Sequence, residues 1–127
     1  MQEIKRLPDS ELEVMKVVWD AGAPVTRNAI QQALRHKSWA TPTFQALLAR
    51  LEEKGFLTHE KNGNTFVYSA RIPCTDYLAV ESRTALGRMF GGSPTRLVAA
   101  LHRADSLTDA DVDELYAYLR ELKEGRR

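Results

Sequence analysis

Apolar positions in the first half of this chain recur at helical spacing and then give way to the short, β-branched runs of strands. Leu12, Met15, Val18 and Trp19 fall on one face of a helix. Ser10 and Glu13 have the spacing of a capping box, so the first helix is expected from about Asp9, with Gly22 and Pro24 stopping it. Thr26 is a good N-cap for a second, shorter helix that buries Ile30, Ala33 and Leu34 and frays near Lys37. The third helix has the strongest local signal. Thr41-Pro42 sets a capping hydroxyl before a proline at the first helical position, where the missing N–H costs nothing. Phe44, Leu47, Leu48 and Leu51 then form an i, i+3, i+4, i+7 stripe, and Gly55 closes the helix as a C′ glycine.

Residues 56–61 and 65–70 are short runs with β-branched and aromatic content, and Asn62-Gly63 between them predicts a hairpin turn. Three helices followed by a two-stranded ribbon is the element order of a winged helix-turn-helix. Pro73 marks a boundary, after which three helical segments are expected. The first, residues 76–90, sets Leu78, Ser82, Ala85, Leu86 and Met89 on one side and ends at Gly91-Gly92. The second starts at Ser93-Pro94 and carries Leu97, Val98 and Leu101. The last is capped by Thr108 and has a continuous stripe of Val112, Leu115, Tyr116, Leu119 and Leu122. The predicted fold is therefore mainly α with a small β-hairpin, a winged helix-turn-helix domain in residues 1–72 and a helical dimerisation arm in residues 73–127. An arm of 55 residues rarely buries enough surface alone, and the simplest partner is a second copy of the chain. Leu78, Leu86, Leu97, Leu101, Val112, Leu115 and Leu119 are the candidate dimerisation residues.

The net charge of +1 does not by itself suggest nucleic acid, but the distribution does. Between Ala21 and Leu51 there is no acidic residue, while Arg27, Arg35, Lys37 and Arg50 contribute +4. Phosphate contact needs such a stretch, because each neutralised phosphate releases counterions. No apolar run approaches the ~20 residues of a membrane span, and MQEIKRLPDSELE has no apolar core like that of a signal peptide. The single cysteine, Cys74, excludes an intramolecular disulfide framework, so a cytoplasmic protein is expected, with no membrane insertion.

A helix that reads the major groove must turn small or polar side chains outward so that its backbone can approach the bases. Thr43, Ala46 and Arg50 lie at i, i+3 and i+7 of the third helix, and Gln45 flanks them. Thr43 and Ala46 can meet a thymine methyl, Gln45 can pair with adenine, and Arg50 can reach guanine or a phosphate. Thr41 at the start of that helix and Lys61 and Asn62 at the wing tip complete the candidate DNA-contacting set. Trp19 and Trp39 read as core anchors.

Catalytic chemistry finds no constellation. His36, His59 and His102 lack metal-ligand spacing, and Cys74 has no second cysteine near it. No nucleophile elbow or phosphate-binding glycine loop is present. Asp109, Asp111 and Asp113 imitate the start of a calcium loop, but Glu114 stands at its sixth position and Arg120 at its twelfth. These acids suit the N-terminal end of the last helix instead. No catalytic residue, metal site or cofactor is expected.

LPDSELEVMKVVW at residues 7–19 resembles the opening helix of the penicillinase-repressor (BlaI/MecI) family. WATPTFQALLARLEEKGFL at residues 39–57 resembles its recognition helix, and Phe66-Val67-Tyr68 and Phe90-Gly91-Gly92 also fit. The similarity runs from about Leu7 to about Leu122, and the order and spacing of the motifs make it specific. It implies a homodimer that blocks transcription from an inverted repeat, often of TACA/TGTA half-sites. It also implies a membrane sensor protease that answers a β-lactam, after which the repressor is cleaved in its C-terminal arm. The recognition positions fall on Thr43, Gln45, Ala46 and Arg50, and the cleavage region on Ala100 and Leu101. The C-terminal cysteines of copper-sensing relatives are absent. The competing reading is a winged-helix protein-interaction module that reads no bases, and the low net charge is its support.

Overall fold

The structure, a computed structural model, describes residues 3–125. The chain divides into two compact units, Met1–Glu81 and Ser82–Arg127.

The N-terminal unit contains α1 (Asp9–Ala21), β1 (Val25–Thr26), α2 (Arg27–Ala33), a 3₁₀ turn (Arg35–Lys37), α3 (Thr41–Glu53), β2 (Leu57–Asn62) and β3 (Thr65–Ala70). The first turns of α4 (Cys74–Phe90) also belong to it. The strands form an antiparallel sheet in the order β1-β3-β2. Periodicity could not reveal β1, because two residues show no alternation; it pairs Val25 with Tyr68 and Thr26 with Val67. In the hairpin Asn62 is the last paired residue, opposite Thr65, so the tight loop is Gly63-Asn64, one residue later than the sequence predicts. Gly63 takes a φ of 66° there, which its missing Cβ allows.

Among the described residues fifteen apolar side chains make one core, with Val14, Met15, Ile30, Leu51 and Phe56 at 0% exposure. On α1 the buried residues are Glu11, Val14, Met15 and Val18; Leu12 and Trp19 are half-buried. The buried face is thus rotated toward Glu11, whose carboxylate pairs with the Lys54 ammonium at the end of α3. The expected capping box at Ser10 does not form. Pro8 occupies the N-cap position without a side-chain bond, because the helix starts one residue before Ser10.

Thr26 caps α2 as expected, its Oγ1 accepting the Ala29 N–H at 3.0 Å. Ile30 and Leu34 are buried, while Ala33 faces solvent. Thr41 is not the cap of α3. Ala40 is, and Thr41 lies one position inside the helix with its Oγ1 accepting from the Gln31 side-chain amide at 3.3 Å. At the other end Gly55, at φ 85°, donates to Glu52 O, and Phe56 donates to Leu51 O at 2.8 Å. These two bonds make a Schellman closure that sends the chain from helix into wing.

Tyr77 on α4 is 2% exposed and packs against Trp19 and Phe56, with ring centroids 5.6 and 5.7 Å away. Its hydroxyl accepts the Leu7 N–H at 3.1 Å and donates to Glu81 at 2.8 Å. Trp19 in turn donates to Ile72 O at 2.9 Å. The sequence reading divides the chain at Pro73, whereas the compact units meet between Glu81 and Ser82, because Tyr77 belongs to the N-terminal core.

The C-terminal unit holds the rest of α4, α5 (Pro94–Arg103) and α6 (Asp109–Gly125). Ser93 caps α5 by accepting the Arg96 N–H at 3.2 Å. At α6, Thr108 and Asp111 cap each other reciprocally, both bonds at 3.0 Å. Asp111 is thereby accounted for as a capping residue. Neither α5 nor α6 buries a single residue.

Candidate nucleic-acid interface

The core stripe of α3 faces inward, so the helix presents its other side to solvent. Thr43, Gln45 and Arg50 are exposed there and Ala46 is half-buried. Thr41 is exposed too, but its hydroxyl is held by Gln31, which ties the start of α3 to α2. The Arg50 side chain makes no ion pair or hydrogen bond among the described residues, leaving its guanidinium available for an external partner. The first acids on α3 are Glu52 and Glu53 in its last turn. Glu52 is engaged by His59 of β2, whose Nδ1 lies 2.8 Å from both carboxylate oxygens.

The other cations of the acid-free span are placed differently. Lys37 reaches back to Glu13 on α1 at 3.9 Å. Arg27 lies with its guanidinium carbon 4.1 Å from the centroid of the Phe66 ring on β3. Lys61, register partner of Phe66 across the hairpin, has its ammonium 5.8 Å from the same centroid. Lys61 and Asn62 are exposed on the wing. Arg27 is not among the contact residues that spacing along the chain predicts. Only the sheet register brings the start of α2 against Phe66, and no local pattern carries that information.

The candidate dimerisation residues lie in both units: Leu78 in the first, and Leu86, Leu97, Leu101, Val112, Leu115 and Leu119 in the second. Leu86 and Leu115 are half-buried and the other five are exposed, Leu78 at 53% and Leu119 at 52%. Tyr116 at 63% and Met89 at 61% are exposed beside them in sequence. Ala100 and Leu101 lie in the second half of α5, both exposed. Among the described residues no group of three or more His, Cys, Asp or Glu is placed to hold a metal ion, and no helix is long and apolar enough to cross a membrane.

Three helices packed over a small antiparallel sheet, with a polar, acid-poor helix face beside a β-hairpin, define the winged-helix class of DNA-binding fold. The chain belongs to the penicillinase repressor family, which matches residues 7–121. It is 35% identical over 127 residues to the penicillinase repressor of Bacillus licheniformis, an alignment that covers 100% of this chain and 99% of that protein. It is similar to the solution structure of the DNA-binding domain of the repressor BlaI, with 40% identity and a TM-score of 0.53 over 61% of this chain and 94% of that one. It is also similar to the monomeric form of Bacillus licheniformis BlaI in complex with the blaP half-operator, with 40% identity, a TM-score of 0.51 and the same coverage. The family is one of transcriptional repressors, the class that the motif order implied.

Proposed function

We propose that this chain is a cytoplasmic transcriptional repressor that binds an inverted-repeat operator as a homodimer. The observation that carries the reading is the outward face of α3, where Thr43, Gln45, Ala46 and Arg50 all precede the first acids of the helix, Glu52 and Glu53, in a fold similar to one solved on a half-operator. Small and polar groups let the helix backbone approach base edges, and Arg50 has the reach and fork geometry for guanine or a phosphate. Lys61 and Asn62 extend the contact along the flanking backbone.

The exposed apolar side chains of α5 and α6 support self-association, since scattered single leucines need no partner but a row of them along two helices does. Release from DNA would follow cutting near Ala100-Leu101 by a sensor-linked protease, a reading supported by the exposure of both residues on α5 of the single chain.

Selection from a random duplex pool at near-physiological salt tests the reading. Enrichment of a palindrome with half-sites about one helical turn apart is the expected result. A folded protein that enriches nothing would make the chain an interaction module instead. On the selected operator, Arg50→Ala is expected to weaken binding by about 1–3 kcal/mol and relax base preference at one position per half-site. Unchanged affinity would remove Arg50 from the interface.

A further inference from the structure

Arg27 occupies an unusual position for a cation on a small domain. Its side chain is half-buried, yet it makes no ion pair among the described residues. The guanidinium lies on Phe66, and its Nε is buried without a hydrogen-bond acceptor. A ring face attracts the charge but satisfies no N–H donor, and buried donors are as a rule paired. Around it, Arg27, Asn28 and Gln31 of α2 and Asn64, Thr65 and Phe66 of the wing line a concavity of about 270 Å³. Every polar group there can donate a hydrogen bond, none is an acid, and the Lys61 ammonium reaches the same ring. Gln31 also holds Thr41, so one wall of the concavity is fixed to the first turn of α3.

We infer that this concavity is a phosphate cradle in which Arg27, pre-set on Phe66, clamps one backbone phosphate of the DNA beside the groove that α3 reads. The inference rests on the proposed DNA binding and adds to it a contact between α2 and the wing. A guanidinium fork matches two phosphate oxygens, and an aromatic platform limits the rotamer freedom lost when it does so. Asn28 and Asn64 supply amide donors from the two sides of the cleft. The contact carries no base information, so it sets register and affinity, leaving discrimination to α3.

The test is equilibrium binding of full-length protein to two fluorescent duplexes, the selected operator and an unrelated sequence, across a salt series. Arg27→Gln is expected to weaken both duplexes by the same factor, about three- to tenfold at ~0.1 M salt, and to make the slope of log affinity against log salt shallower by about 0.9 per protomer. Arg27→Lys should restore the slope and part of the affinity. Phe66→Leu should weaken binding while keeping the slope, since the charge remains. A neutral methylphosphonate walked along the operator should weaken the wild type at each contacted phosphate, and at one of these per half-site the effect should vanish in Arg27→Gln. An unchanged slope in a folded Arg27→Gln protein overturns the cradle, as does a loss confined to the operator, which would make Arg27 a base reader. Failure of the wild type to bind either duplex overturns the DNA reading itself, and the cradle with it.

Discussion

Tyr77→Ala is expected to destabilise the N-terminal unit by about 3–5 kcal/mol, enough to unfold a marginal domain, with the loss read as a lower denaturant midpoint. The side chain is fully enclosed between Trp19 and Phe56, so truncation leaves a cavity as well as losing buried area. Tyr77→Phe separates the ring from the hydroxyl. It keeps the packing but strands the Leu7 N–H, at a cost of about 1–3 kcal/mol. Burial pushes the Tyr77 phenol above its ordinary value of 10.0, and the neighbouring Glu81 carboxylate raises it further, against the lowering effect of the Leu7 N–H. The folded protein therefore holds the proton at a pH where the unfolded chain releases it. Tyr77's contribution is intact below pH 10.0 and is lost as pH rises through the folded value. Denaturant unfolding on either side of that pH should show a steeper alkaline loss in the wild type than in Tyr77→Phe. Equal loss in both would show that the phenol is not the titrating group.

Two truncations should behave in opposite ways. A chain ending after Ile72 lacks Tyr77 and exposes Trp19 and Phe56, so it should melt far below the full-length protein or fail to fold. A chain ending after Glu81 retains the whole N-terminal core, with both hydrogen-bond partners of Tyr77, and should unfold cooperatively. On the proposed function it should also sediment as a monomer and lose about 10²–10⁴-fold in operator affinity, because the two half-sites are then bound independently. Dimeric sedimentation of the chain ending after Glu81 would contradict the role given to α5 and α6. A stably folded chain ending after Ile72 would contradict the role given to Tyr77.

What the sequence made legible follows from how local each signal is. The stripe of α3 and its glycine closure are written in neighbouring residues, and both appear in the structure. The capping threonine of α2 and the serine of α5 are equally local. Features that depend on distant residues did not show. Glu11 is buried because Lys54 lies beside it, so the face of α1 turned inward holds Glu11 and Val14 with Met15 and Val18, where spacing alone puts Leu12 and Trp19. The cap of α3 is Ala40 and not Thr41, whose hydroxyl accepts from Gln31 of α2, a partner ten residues away. Tyr77 lies on a helix that periodicity assigns to the arm, yet its partners are residues 7, 19 and 56. Within the candidate interface, the face of α3 could be read from spacing alone, whereas the stacking of Arg27 on Phe66 needs the pairing of β1 with β3.

The unburied stripes of α5 and α6 have a consequence for thermodynamic linkage. Helices of 10 and 17 residues are marginal in water when only their own backbone bonds and caps hold them. The free energy that keeps them ordered must then come from whatever covers their apolar side chains. If the cover is a second copy, helicity in this half of the chain becomes a function of protein concentration. Amide exchange in α5 and α6 should slow as the protein is concentrated, while exchange in the N-terminal core stays constant.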